Sequence, residues 1–283
     1  METRTTFYRT NGVRLHVAEA GYANEKVILF LHGFPEFWYG WKKQLQFFAE
    51  NGWRAVAPDQ RGYNLSSKPE ELAAYTIDQL TRDIVELIPQ ISAGKVVLVG
   101  HDWGGAVAWN LALQHPELLE KLIILNMPHP RVMHQHLTQN PRQMLRSWYT
   151  GFFQIPWFPE IASSAFDFHL LESTMTGSAL PNTFTPADIK AYKEAWAQPN
   201  ALTTMINWYP AYKQHPIKAP RPVKVPTLMI WGKQDPFLDT ELARPSIEQC
   251  AKGQLILLGE PTHWLHHEQP ERINRLMLDF LVE

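Results

Sequence analysis

The sequence predicts an α/β fold in which a mostly parallel sheet is flanked by helices and a helical segment is inserted between two strands. Short apolar runs alternate with segments of helical periodicity from residue 26 to residue 125, a pattern typical of parallel strands joined by helical crossovers. No buried-strand pattern occurs between Pro130 and Pro222, a stretch rich in aromatic residues and prolines. Strand-like sequence then resumes at Val225, so the helical segment interrupts the sheet-forming part of the chain.

The sequence predicts a hairpin at the start of the chain, followed by helices and buried strands. Residues 5–10 and 13–19 flank Asn11-Gly12, a dipeptide suited to a tight hairpin turn. Helical patterns are present at 38–52, 76–88, 104–114, 240–250 and 271–281. Thr76 with Gln79 three residues later predicts a capping box at the start of the second of these helices. Buried strands are predicted at 26–31, 54–58, 96–99, 121–125, 225–231 and 254–258.

These elements divide the chain into a core, residues 1–130 and 223–283, and a helical cap, residues 131–222. Lys and Arg total 26 against 28 Asp and Glu, which argues against a nucleic-acid partner or an anionic membrane surface. Cys250 is the only cysteine, so an internal disulfide is excluded and a reducing compartment is favoured. The amino terminus resembles no signal peptide, and no apolar run is long enough to span a bilayer. We therefore expect a cytoplasmic protein.

Residues 96–105 read VVLVGHDWGG. The run predicts a strand, a sharp turn and a helix, with Asp102 at the position where the nucleophile elbow of α/β-hydrolases usually carries Ser. A carboxylate that attacks a saturated carbon forms an ester, which an activated water can hydrolyse, so the pattern favours epoxide opening or dehalogenation. The alternative is that Asp102 merely caps the helix.

Such a nucleophile needs a base, and the α/β-hydrolase order is nucleophile, acid, histidine. Asp235 follows the strand at 225–231 and His263 follows the strand at 254–258. Both would open on the same sheet edge as Asp102, although each alone is more typical of a turn or a structural residue. His263, His266, His267 and Glu268 match no helical two-histidine metal motif, so we predict neither a metal nor a cofactor.

Five motifs resemble those of α/β-hydrolase-fold epoxide hydrolases along essentially the whole chain. They are HGFPEFWYGW at 32–41, DQRGYNLSSKP at 59–69, GHDWGG at 100–105, WGKQDPF at 231–237 and THW at 262–264. The resemblance implies the α/β-hydrolase fold with an inserted cap. It also implies an oxyanion hole made by the N–H groups of Phe34 and Trp103, with Pro35 in the cis form.

The same resemblance implies two cap tyrosines that hydrogen-bond the epoxide oxygen. Tyr209 matches through Asn-Trp-Tyr, and Tyr149 through its position five residues before the Gln of Phe-Gln-Ile-Pro. A phenol can donate to a developing alkoxide, although both rings could also simply pack in an aromatic-rich cap. We expect a small apolar epoxide and water as partners and a monomer or homodimer as the assembly. The aromatic residues Trp38, Phe152, Phe153 and Trp157 are candidates for the pocket wall.

The main alternative is a haloalkane or haloacid dehalogenase, which also uses an Asp nucleophile. The Trp103 indole would suit a halide donor, but Phe34 stands where many haloalkane dehalogenases carry Asn. A second alternative is a non-catalytic binding protein on the same fold. A serine esterase is disfavoured because the chain contains no G-x-S-x-G.

Overall fold

A computed structural model describes residues 2–217, 219 and 222–283. Its strands form one sheet in the order β1-β2-β4-β3-β5-β6-β7-β8. Their bounds are β1 Arg4–Thr10, β2 Val13–Ala20, β3 Val27–Leu31, β4 Arg54–Pro58, β5 Val96–His101, β6 Leu119–Leu125, β7 Thr227–Gly232 and β8 Gly253–Leu258. Strand β2 is antiparallel to β1 and β4, and every other neighbouring pair is parallel. The predicted mostly parallel α/β sheet is confirmed.

Thirteen α-helices are present among the described residues. They are α1 Lys42–Glu50, α2 Ile77–Ile91, α3 Trp103–Gln114, α4 Pro130–Gln139, α5 Pro141–Arg146, α6 Trp148–Phe152, α7 Phe158–Ser178, α8 Pro186–Trp196, α9 Ala201–Ile206, α10 Trp208–Gln214, α11 Ala243–Ile247, α12 Leu265–Glu268 and α13 Pro270–Val282. Helices α4 to α10 all lie between β6 and β7. The cap limits of 131 and 222 stay a prediction, and positions 1, 218, 220 and 221 lie outside the described residues.

The central strands are buried on both faces. Because successive side chains of a strand point to opposite sides of the sheet, each of these strands contributes to two apolar clusters. Leu98 belongs to the apolar cluster that also contains residues of α2 and α3. Its neighbours Val97 and Val99 belong to a second cluster, which contains residues of α1 and α13. The continuous apolar runs seen in the sequence are therefore strands covered by helices on both sides.

Three predicted local features differ in the structure. The helix predicted at 240–250 is a 3-10 turn over Thr240–Leu242 followed by α11, which ends at Ile247. The capping box at Thr76 was wrong: its side chain makes no cap hydrogen bond, because the hydroxyl turns back to the carbonyl of Ala73 and Gln79 is engaged by Asn11. The predicted helix at 38–52 begins as a 3-10 turn over Trp38–Trp41 before α1.

Two expectations from the composition can be compared with the structure. In the part of the chain that the structure describes, no helix has the length and apolar character needed to cross a bilayer. Cys250 is half-buried, and burial raises the pKa of its thiol to about 11, which keeps it in the less reactive protonated form near neutral pH.

Candidate active site

The turn between β5 and α3 holds Asp102 in a backbone conformation that residues other than glycine rarely adopt, with φ 50° and ψ −126°. Glycine is required on both sides of Asp102, because neighbouring backbone segments lie too close to admit a Cβ atom. A Cβ at Gly104 would lie 2.1 Å from the carbonyl oxygen of Leu31, and one at Gly100 would lie 2.5 Å from the carbonyl oxygen of Gly104. Asp102 occupies the N-cap position of α3, but its side chain makes no capping hydrogen bond. The carboxylate is therefore directed elsewhere.

The carboxylate of Asp102 lies against the loop that follows β3. Its Oδ1 accepts a hydrogen bond from the backbone N–H of Phe34 at 2.9 Å, and the Phe34–Pro35 peptide is cis. A Cβ at Gly33 would lie 2.4 Å from the same Oδ1, so only glycine permits this approach. Trp103 begins α3, where first-turn N–H groups have no partner within the helix. The Phe34 N–H thus holds one carboxylate oxygen, and the N–H of Trp103 is free of any bond within the helix.

The predicted acid and base lie together at the same edge of the sheet. His263 Nδ1 is 2.7 Å from Asp235 Oδ2, and His263 Nε2 is 3.7 Å from Asp102 Oδ2. The other Asp235 oxygen accepts backbone N–H bonds from Phe237 at 2.8 Å and Leu238 at 2.9 Å. The structure therefore brings Asp102, His263 and Asp235 into one chain of contacts.

The pKa values of Asp235 and His263 follow from their burial and from their opposite charges. Burial alone would raise the pKa of Asp235, but the charge of His263 and the hydrogen bonds that Asp235 accepts lower it below its usual value. Burial alone would lower the pKa of His263, but Asp235, followed by the charge of Asp102, raises it to about 9. Both pKa shifts favour the charged forms near neutral pH, the imidazolium of His263 and the carboxylate of Asp235.

Tyr149 and Tyr209 lie beside Asp102, with ring centroids 6.2 Å apart. Burial, followed by the charge of Asp102, raises the pKa of both phenols. Two cavities, of about 140 Å³ and about 540 Å³, share Asp102, Tyr149 and Tyr209 in their walls. Both phenols therefore remain protonated donors where a ligand would meet the carboxylate.

The pocket wall differs in part from its prediction. Phe152 and Phe153 line the smaller cavity together with Phe34 and His263. Trp38 and Trp157, which were also predicted in the pocket wall, lie elsewhere in the structure. The backbone N–H of Trp38 bonds Asp59 and its ring packs on Phe37 and Tyr39, whereas Trp157 is 80% exposed. Neither residue is in the walls of the two cavities described above.

Comparison with known proteins agrees with this geometry. Residues 26–270 match the family model described as the alpha/beta hydrolase fold. The AB hydrolase superfamily protein YfhM of Bacillus subtilis is 48% identical, covering 97% of this chain and 96% of the relative. Epoxide hydrolase 4 of Homo sapiens is 40% identical, covering 97% of this chain and 77% of the relative. The chain belongs to the epoxide hydrolase family of the α/β-hydrolase fold.

The structural neighbours of this family member lead to the same assignment. A Bacillus megaterium epoxide hydrolase crystallised with an inhibitor superposes with a TM-score of 0.89 at 31% identity, covering 98% of this chain and all of the neighbour. An epoxide hydrolase from Vigna radiata gives a TM-score of 0.86 at 27% identity, covering 99% of this chain and 98% of the neighbour. The inserted helical segment is included in both superpositions, since nearly the whole chain is covered.

Sequence reasoning missed Asn126, a buried residue with φ 40° directly after β6. Its Nδ2 donates to Asp235 Oδ2 at 2.6 Å, and its Oδ1 accepts from the backbone N–H of Gly232 at 2.8 Å. The same Nδ2 also lies 3.3 Å from the carbonyl oxygen of Thr262. Asn126 thus joins the loops that carry the acid and the base. Its place at the carboxyl end of a buried strand, like that of Asp235, was the available signal.

Glu268 was considered only as a candidate metal ligand, yet it connects the loop of His263 to the helical segment. Its carboxylate accepts from the backbone N–H and the hydroxyl of Thr262, at 2.8 Å and 2.5 Å. It also accepts from the backbone N–H of Leu180, just after α7, at 2.9 Å. One charged group therefore orders the residue before His263 and the end of a helix above it.

Proposed function

We propose that this chain is an epoxide hydrolase that opens an apolar epoxide to a vicinal diol through a covalent Asp102 ester. The observation that carries the proposal is the meeting of Asp102, Tyr149 and Tyr209 in the walls of the same cavities. Carboxylate and phenol supply what ring opening needs, a nucleophile for carbon and donors for the departing oxygen.

In the first step a ring carbon forms a bond with a carboxylate oxygen of Asp102 as its bond to the epoxide oxygen breaks. The alkoxide that develops takes a proton from Tyr149 or Tyr209, whose raised pKa values keep them protonated. Phe34 N–H already holds Asp102 Oδ1 at 2.9 Å, which leaves Oδ2 as the attacking atom. This places the new ester oxygen on the side of His263.

In the second step His263 removes a proton from a water molecule, which attacks the carbonyl carbon of the Asp102 ester. The N–H groups of Phe34 and Trp103 stabilise the tetrahedral oxyanion. The bond between the acyl carbon and the alkyl oxygen then breaks as the imidazolium of His263 gives its proton to that oxygen, so that the diol leaves with an oxygen atom from Asp102. The proton of the newly formed Asp102 carboxyl group passes to the tyrosinate left by the first step, which restores the free enzyme. Esterification also removes the Asp102 charge, one of the influences that raise the pKa of His263, and this makes His263 a base at lower pH.

A single turnover in ¹⁸O-labelled water tests the covalent route. With the enzyme in excess over styrene oxide, we expect an unlabelled diol and incorporation of ¹⁸O into the peptide that contains Asp102. Direct attack of water on the epoxide would instead place the label in the first diol formed and leave the peptide unlabelled. Mass spectrometry of diol and peptide from the same reaction separates the two routes.

Variants test the assigned roles. His263→Gln is expected to accumulate an alkyl-enzyme adduct, visible as a mass increase equal to that of the epoxide. Asp102→Ala is expected to abolish diol formation, whereas retained activity would exclude this site and favour a binding role. Tyr149→Phe and Tyr209→Phe should each slow adduct formation. Tyr22→Phe, at a phenol that is 58% exposed, is the matched control and should behave as the unmodified enzyme.

The same site disfavours the dehalogenase alternative. The Trp103 indole would be the halide donor, but its ring packs edge-on against the ring of Tyr209, with the centroids 5.0 Å apart. Halide release from haloalkanes without diol formation from epoxides would reverse this preference. The cytoplasmic location, the monomer or homodimer and the cap limits 131–222 rest on the sequence alone and stay predictions.

A further inference from the structure

Behind the loop of His263, three side chains that the reaction does not use form a buried cluster. Glu36, His266 and His267 each offer one ligand atom that lies within 4.8 Å of the other two. Glu36 is 1% exposed, His266 0% and His267 8%. Glu36 follows the loop after β3, and the two histidines lie in α12, so the cluster joins segments far apart in the sequence.

The cluster leaves several buried polar atoms without a hydrogen-bond partner. They are Glu36 Oε2, both ring nitrogens of His266 and the Nδ1 atom of the neighbouring His101. Buried polar groups in proteins are nearly always paired, and an unpaired one calls for a bound water, an ion or a functional reason. Two of these atoms, His101 Nδ1 and His266 Nε2, lie within 3.5 Å of Glu36 Oε2.

The distances around Glu36 separate its two oxygens. Oε1 is engaged, since it accepts from the Tyr192 hydroxyl at 2.8 Å and lies 2.6 Å from His267 Nε2. Oε2 lies 3.5 Å from His266 Nε2 and 3.3 Å from His101 Nδ1 without a hydrogen bond to either. Two atoms that each lie about 2.0 Å from a tetrahedral zinc ion are about 3.3 Å apart. The spacing of Oε2 and His266 Nε2 therefore suits shared coordination of an ion.

We propose that Glu36, His266 and His267 form a binding site for a divalent transition-metal ion of the zinc class. Two histidines and one carboxylate are among the ligand sets that zinc uses, with a water completing the tetrahedron. When the ion binds, the proton shared between His267 Nε2 and Glu36 passes to solvent, so that the nitrogen becomes a ligand. The site does not depend on the proposed hydrolase activity.

A bound ion would join two segments that position the reacting groups. Glu36 stands two residues after Phe34, whose N–H holds Asp102, and His266 stands three residues after His263. His101 lies between them, and its Nε2 is 2.9 Å from the carbonyl oxygen of His263. The ion would therefore stabilise this part of the core without contacting the substrate.

The test uses the full-length, tag-free protein after treatment with a chelator and dialysis. Zn²⁺ or Co²⁺ is added, bound metal is counted by plasma mass spectrometry after removal of the excess, and thermal unfolding is followed by calorimetry. We expect one ion per chain, a higher Tm with the ion, and the visible absorption bands of tetrahedral Co²⁺. His266→Gln and His267→Gln should each weaken binding by at least about tenfold.

His169→Gln is the matched control, because His169 is an exposed histidine of α7, and it should bind the ion as the unmodified protein does. The proposal is overturned if the unmodified protein retains neither metal. It is also overturned if both cluster variants bind as well as the control, which would assign the ion to surface histidines. Since the first result comes from the unmodified chain, poor folding of a variant cannot leave the question open. Anomalous diffraction from a Co²⁺-soaked crystal that places the ion elsewhere would have the same meaning.

Discussion

Two buried carboxylates contact histidines in this molecule, and they differ in how completely they are paired. Asp235 accepts four hydrogen bonds, two on each oxygen: Phe237 and Leu238 on Oδ1, and Asn126 and His263 on Oδ2. Glu36 is equally buried, yet its Oε2 makes no hydrogen bond within the described residues and has only His101 Nδ1 at 3.3 Å and His266 Nε2 at 3.5 Å nearby. Both side chains are buried carboxylates, but both oxygens of Asp235 are hydrogen-bonded whereas one oxygen of Glu36 is not.

Complete pairing fixes the orientation of a carboxylate and of the group bonded to it. Four donors fix the plane of the Asp235 carboxylate, and the carboxylate in turn fixes the ring of His263, so a base is held in one orientation. Around Glu36 the imidazoles face an oxygen that they do not bond, so the cluster retains capacity for a ligand. The first arrangement is typical of a positioned catalytic pair, and the second of a binding site.

The largest expected effect comes from breaking the paired carboxylate with Asp235→Asn. The amide keeps the shape but loses the charge and favours the wrong tautomer of His263, so turnover should fall by about three to four orders of magnitude. The ester should form and then persist, because its hydrolysis is the step that needs the base. Steady-state diol formation and intact-protein mass measure the two effects. Asp167→Asn, at an exposed carboxylate, is the control, and a fall of less than tenfold at Asp235 would contradict the role.

A smaller effect is expected on the pH dependence of ester hydrolysis. Only neutral His263 can accept a proton from water, so the rate should rise by up to tenfold per pH unit below the pKa of His263 and be constant above it. That pKa is about 9 in the free enzyme, where Asp102 is charged, and should be lower in the ester, where this charge is absent. Stopped-flow measurement of preformed ester over a pH series gives the value. A midpoint at or above 9 would show that the charge of Asp102 does not act on His263.

The sequence predicted those features that a strand end determines. Asp102, Asp235 and His263 each follow a buried strand, and parallel strands bring their carboxyl ends to one edge. Trp38 and Trp157 were misplaced because a hydrophobic residue type does not reveal which way a loop turns its side chain. The cluster of Glu36 with His266 could not be predicted from the sequence either. Its carboxylate lies far from the histidines along the chain, and only the fold brings them together.

Asn126→Ala is expected to have the weakest effect of these substitutions. It leaves Asp235, like Glu36, with an incompletely hydrogen-bonded carboxylate. The variant removes one donor from Asp235 Oδ2 and leaves the buried N–H of Gly232 without its acceptor. We expect a loss of about 1–3 kcal/mol of stability and a fall of about tenfold in ester hydrolysis. Chemical denaturation and single-turnover kinetics measure these two quantities separately.

A positioning role for Asn126 predicts more than lost stability. With one donor fewer, the ionised form of Asp235 is less stabilised, so the pKa of His263 measured in ester hydrolysis should shift. The rate of adduct formation should not change. Asn182→Ala is the matched control, because Asn182 also has a positive φ, of 63°, but is exposed. If both variants lose similar stability and neither changes the pH profile, Asn126 serves only the backbone turn, and the orientation of His263 depends on Asp235 and its two backbone donors.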